Sequence, residues 1–154
     1  MEKFKLTKAL AVAALGLFSM ASCTDLCKDV NCNNGACVEG DCVCDSGYEG
    51  TNCETEIRAA YLGTFNVTET CDSGSDAYAV VISAGSNIND VVINNLYDAG
   101  FAVTGTLNAN GGVDFDSSFG TGTVNGSMTT TGGVITITFT VSAGGASDNC
   151  TATS

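Results

Sequence analysis

From Tyr61 to the C-terminus, apolar and polar residues alternate in short runs broken by clusters of Gly, Asn, Asp and Ser. The clearest run puts Ile135, Ile137, Phe139 and Val141 on one face and Thr136, Thr138 and Thr140 on the other. Tyr78, Val80 and Ile82 repeat the alternation, as do Phe101 and Val103. A period of two with one apolar face predicts antiparallel strands that bury one side and wet the other. Eight candidate strands follow, at 61–69, 77–84, 90–96, 101–107, 113–119, 121–128, 134–142 and, shortest, around 150–153. Turn signals stand at Asn110-Gly111-Gly112, Asn125-Gly126 and Gly132-Gly133. The inward set is Phe65, Val67, Tyr78, Val80, Ile82, Phe101, Val103, Ile135, Ile137 and Phe139. Asp114 and Asp116 fall together on the wet face of their strand. Over 59–154 this pattern predicts an antiparallel β domain, and a closed barrel or a β-sandwich would both satisfy it. The missing Trp and the placement of Cys71 at a strand end argue against an immunoglobulin domain.

The texture upstream is different. Lys3, Lys5 and Lys8 precede an apolar run from Ala9 to Phe18, and small residues follow up to Cys23. The run is shorter than the roughly 18 residues that span a bilayer, so a cleaved export signal over 1–22 is favoured over a membrane helix. The Ala21-Ser22-Cys23 ending resembles the lipobox of bacterial lipoproteins, with Met20 where Leu is more frequent. The resemblance implies acylation of Cys23 and a lipid-anchored N-terminus over 23–26. Several acyl chains at about 0.8 kcal/mol per buried CH₂ anchor a protein without a spanning segment. Thr24, not Asp, follows Cys23, and the expected location is the cell envelope, lipid-anchored in the outer membrane and exposed at the cell surface.

Nine cysteines are present, and setting Cys23 aside leaves an even number for pairing. Six crowd into one block, as Cys27, Cys32, Cys37, Cys42, Cys44 and Cys53. A block this short buries too little surface to fold alone, so crosslinks must replace a core. Neither zinc-type nor redox CxxC spacing occurs. Fifteen pairings are possible, and the spacing does not choose among them. The stretch resembles an epidermal growth factor-like module over 27–53. The most specific part is its ending, Cys42-Val43-Cys44-Asp45-Ser46-Gly47-Tyr48-Glu49-Gly50-Thr51-Asn52-Cys53. That resemblance implies bridges Cys27–Cys37, Cys32–Cys42 and Cys44–Cys53. Calcium-binding members carry acidic residues before the first cysteine. Here Asp25 stands alone, so no calcium is expected. Residues 54–58 read as a short polar linker. Cys71 and Cys150 form the remaining pair, which would join the first strand to the last. Val91-Val92-Ile93-Asn94-Asn95-Leu96, Gly120-Thr121-Gly122-Thr123-Val124-Asn125-Gly126 and Cys150-Thr151-Ala152-Thr153 resemble C-terminal domains of bacterial surface lipoproteins called calycin-like or lipocalin-like. That resemblance implies an eight-stranded up-and-down barrel, so the expected fold over 59–154 is an antiparallel eight-stranded β-barrel with a β-sandwich as the alternative. The interior of such a barrel is either filled by side chains or holds one small ligand.

Charge narrows the function. Of 5 basic and 17 acidic residues, the leader removes three and one, which leaves a formal charge of −14 after residue 22. Such a chain repels nucleic acid and anionic membrane surfaces. The absence of His removes Ser-His-Asp and Cys-His catalysis and His-based metal sites. Carboxylate pairs such as Asp114 with Asp116, or Asp72 with Asp76, have the residue type for glycosidic chemistry. In an acidic β protein, however, they read first as wet-face and loop residues. Asp72 and Asp76 also offer oxygen ligands for calcium, short of a full ligand set. The expected function is thus a non-catalytic, membrane-anchored surface protein. It would bind or adhere to an extracellular protein or glycan without any cofactor, through an exposed patch around Tyr61, Tyr97 or Phe119. A carrier of a small apolar ligand inside the barrel is the alternative.

Overall fold

A computed structural model describes residues 25–154. The expected leader and Cys23 lie outside the described residues. Among the described residues no helix is long and apolar enough to cross a membrane.

The N-terminal part is held by disulfides more than by a core. Strands β1 (Gly35–Val38) and β2 (Asp41–Cys44) form a hairpin, and β3 (Tyr48–Glu49) pairs with β4 (Thr55–Glu56). The bridges are Cys27–Cys37, Cys32–Cys42 and Cys44–Cys53. Of the large apolar side chains here, Leu26, Val38 and Val43 are exposed. Each bridge offsets that missing burial by restricting the unfolded chain, for about 2–4 kcal/mol.

Eight antiparallel strands then close into a barrel, which decides against the sandwich. They are β5 (Gly63–Cys71), β6 (Gly74–Ala84), β7 (Asp90–Asn94), β8 (Ala102–Leu107), β9 (Val113–Phe119), β10 (Gly122–Thr131), β11 (Val134–Ala143) and β12 (Ala146–Thr153). Closure comes where β12 meets β5, with Cys150 opposite Cys71 and Thr153 opposite Thr68. The Cys71–Cys150 bridge joins directly facing residues across that seam.

Alternation places the core. Ile135, Ile137, Phe139 and Val141 point inward from β11 and are buried. Val67, Val80, Ile82, Val91, Ile93, Val103, Val113, Phe115, Val124 and Met128 join them in one cluster. Each such side chain contributes about 1.5–3 kcal/mol when fully buried. Phe65, Tyr78 and Phe101 pack at its margin, half-buried. Asp114 and Asp116 are on the wet face.

Three expectations change. Asn125-Gly126 is no turn but the middle of β10, where Gly126 faces Phe115 on one side and Phe139 on the other. A Cβ there would lie 2.3 Å from the Thr138 carbonyl oxygen and 2.6 Å from Phe139 Cβ. The glycine is thus room for two aromatic neighbours. Gly144-Gly145, with φ of 61° and 86°, makes the last hairpin turn. It starts β12 well before residue 150. Tyr61 is also not an exposed contact residue. It ends a 3₁₀ turn (Ile57–Tyr61), is buried, and donates its hydroxyl to the Gly111 carbonyl at 2.7 Å.

The barrel has two unlike ends. The proximal end carries Tyr61, the β6–β7 and β8–β9 connections, and the N-terminal part of the chain. Gly47 packs so closely there that a Cβ would sit 2.6 Å from Asn89 Oδ1. Asn89 Nδ2 donates to Ser46 Oγ at 2.9 Å. Arg58 donates to the carbonyls of Gly85, Asn87 and Asp90 and pairs with Glu56 at 2.9 Å. Residues 54–58 are therefore a strand and an ion-paired turn tied to the barrel. The distal end carries the β5–β6, β7–β8, β9–β10 and β11–β12 connections.

Candidate functional site

The distal connections enclose a cleft of about 880 Å³. Its apolar wall comes from Phe101, Phe119, Val141 and Ala99, and its polar wall from Asp72, Ser73, Ser147 and Asp148. The apolar wall follows from how β8 meets β9. Those strands pair only over Gly105–Leu107 with Val113–Phe115, so they diverge toward the distal end. Phe101 and Phe119 meet at that divergence as stacked rings, with centroids 4.8 Å apart and planes at 14°.

Tyr97 lies between cleft and core. It sits in a 3₁₀ turn (Leu96–Asp98) with φ of 61°, and Asn95 and Asp98 are also left-handed, at 63° and 45°. Asn and Asp enter that region readily, whereas a tyrosine does so rarely and only under compulsion from its surroundings. The compulsion is a chain of polar contacts. The Tyr97 N–H donates to the Tyr78 hydroxyl at 2.9 Å, and that hydroxyl donates to Glu69. The Tyr97 hydroxyl donates to Asp148 Oδ2 at 2.8 Å, while its ring meets Phe139 edge-on at 6.3 Å.

Two kinds of carboxylate result. Glu69 is the one buried charged residue among those described, and its Oε1 lies 3.3 Å from the Cys71 sulfur. Burial pushes its carboxyl above the usual range, against the Tyr78 hydrogen bond, and Asp148, Asp76 and Asp98 add to the rise. The same burial and the Glu69 carboxyl push the Tyr78 phenol up. Asp148 is the opposite case. Hydrogen bonds from the Ser73 hydroxyl, the Tyr97 hydroxyl and the Ser73 N–H hold its carboxyl below the usual range. Asp72 Oδ2 accepts from Asn149 Nδ2 at 2.8 Å.

Glu69, Cys71 and Cys150 come close enough to suggest a metal cluster, but both sulfurs are used in the bridge. Asp72 lines the main cleft, while Asp76 joins Glu69 in an adjoining pocket of about 280 Å³. Asp114 stays outside, accepting from Asn108 Nδ2 at 3.0 Å, with Asp116 on the same outer face. Of the expected contact residues, Tyr97 and Phe119 line the cleft. Phe101 moves from the interior set to the mouth. Ser73, Ser147 and Asp148 were not legible as site residues. The only signal was Gly144-Gly145, which as a tight turn would have extended β12 back to them.

The fold defines a class: a closed eight-stranded antiparallel barrel preceded by a disulfide-rich segment. No protein-family model matches the chain, and neither curated proteins nor solved structures give a match.

Proposed function

We propose that this protein is a lipid-anchored cell-surface lipoprotein that binds through the distal mouth of its barrel, without catalysis. In this reading residues 1–22 are the export signal, Cys23 carries the acyl chains in the outer membrane, and 27–53 is an epidermal growth factor-like spacer. Residues 59–154 are a calycin-like barrel. The observation that carries the reading is the cleft's position. It lies at the barrel end opposite the N-terminal segment, so an anchor at Cys23 would leave it facing outward. An extracellular protein or glycan would meet it there. Side chains in the barrel interior form one packed cluster, which favours the mouth over the interior as the binding place.

Two measurements test this. Intact mass of the protein extracted from membranes should carry acyl chains that Cys23→Ser lacks. Nile red, a neutral apolar dye, should brighten on the soluble Cys23→Ser protein and lose most of that signal when Phe101 and Phe119 are both replaced by Ala. A dye response untouched by those changes would move binding away from the mouth. A small molecule released only on unfolding would favour the interior carrier.

A further inference from the structure

We infer that the distal cleft selects an amphipathic amine, an apolar body carrying one ammonium head. The inference rests on the reading of the cleft as a binding site and adds the chemistry of its occupant.

The two walls differ in kind. Phe101, Phe119 and Val141 offer a surface that gains from covering by hydrocarbon. Asp72 and Asp148 stand on the facing wall of the same cleft. Asp148 is fixed by Ser73 and Tyr97, and Asp72 by Asn149, so neither must reorganise to meet a cation. Asp98 and Asp76 stand near enough to act on Glu69 along with Asp148, so the whole distal end carries one sign.

No internal cation balances it. From residue 25 onward the only basic residues are Lys28 and Arg58. Arg58 is engaged at the proximal end, with Glu56 and three backbone carbonyls. A cleft with low-dielectric walls and uncompensated carboxylates concentrates positive ligands. A neutral amphiphile would gain the apolar contact alone, and an anionic one would meet repulsion. The volume suits one small molecule, since ligand pockets run from about 300 to 1,000 Å³.

The test uses the full soluble chain with Cys23→Ser and three eight-carbon probes below their micelle concentrations. They are octyltrimethylammonium, octyl glucoside and octanoate, followed by titration calorimetry. The cation should bind about fivefold or more tighter than the glucoside, with octanoate weakest. Raising salt from about 50 to 500 mM should shrink that gap, because the Debye length contracts. Asp72→Asn with Asp148→Asn should erase the cation's advantage and leave the glucoside unchanged. Ala99→Lys places a cation in the cleft without touching those hydrogen bonds, and should erase it too, even where the double Asn protein folds poorly. Equal binding of all three probes overturns the inference and leaves the cleft as a binding site. A preference that survives Ala99→Lys overturns it as well, by assigning the attraction to overall charge. No binding of any probe to the folded protein overturns both the inference and the reading beneath it.

Discussion

Tyr97 concentrates the residue-scale physics of the distal end. Its backbone N–H, its hydroxyl and its ring edge each have a separate partner, in Tyr78, Asp148 and Phe139. Tyr78→Phe removes the donor to Glu69 and the acceptor for Tyr97 together. Leaving those buried groups unpaired should cost about 1–3 kcal/mol in urea unfolding. Tyr97→Phe, which keeps the ring, should cost less. Glu69 makes a pH prediction. Its folded carboxyl is raised above an unfolded value of about 4.3, so the folded state keeps the proton longer. The stabilising contribution is therefore full below about pH 4 and is lost as pH rises through the folded pKa. Glu69→Gln keeps an acceptor for Tyr78 and does not titrate, so its stability relative to the natural protein should climb between pH 4 and 7. Parallel pH trends in the two proteins would remove the buried-acid account. Gly126→Ala should destabilise by about 1–3 kcal/mol, because the added methyl meets backbone and Phe139 rather than open space. This position was misread for a plain reason. Asn-Gly is a turn signal when only chain neighbours are considered, and its aromatic neighbours come from other strands.

At the scale of elements, alternation located all eight barrel strands, because the period of two is imposed by the pleat itself. Val113–Phe119 coincides with its expected bounds, whereas β12 is longer at its start and β7 stops before Leu96. The start of β12 follows a turn whose small exposed residues carry no periodic signal, whereas Leu96 is a buried apolar residue of the 3₁₀ turn that follows β7. The seam between β12 and β5 makes an element-scale prediction. Its bridge closes a sequence separation of 79 residues, and loop-closure entropy puts its removal at about 4–5 kcal/mol as an upper value. Cys71→Ala with Cys150→Ala should lower stability toward that amount. Amide exchange should rise first in β5 and β12, the strands that face each other there. Uniform loss of protection around the barrel would mean that the seam is no weaker than its neighbours.

For the whole molecule, the question is what holds the disulfide-rich segment against the barrel. Arg58 is the main polar link, with charge-assisted hydrogen bonds to the Gly85, Asn87 and Asp90 carbonyls. Gly47 adds a close approach that no side chain would permit. Arg58→Met should leave barrel unfolding nearly unchanged while loosening the joint. Small-angle scattering would register a larger and broader maximum dimension. An unchanged profile would assign the joint to the Gly47 and Ser46 contacts instead. A fixed joint bears on function, since it would keep the distal mouth at a set distance from an anchor at Cys23.

By itself the sequence determined the strand count, the inward and outward faces, the turn at Gly132-Gly133 and the absence of imidazole chemistry. Each of these depends on residue type and on neighbours within a few positions. Tertiary structure alone decided that the sheet closes, since a barrel and a sandwich share one alternation and differ only in whether β12 reaches β5. It also decided the site. Ser73, Tyr97, Phe119 and Asp148 lie far apart in sequence and meet because up-and-down strands bring every second connection to the same end. No local pattern encodes that meeting, and it is the meeting that places carboxylates opposite stacked aromatic rings.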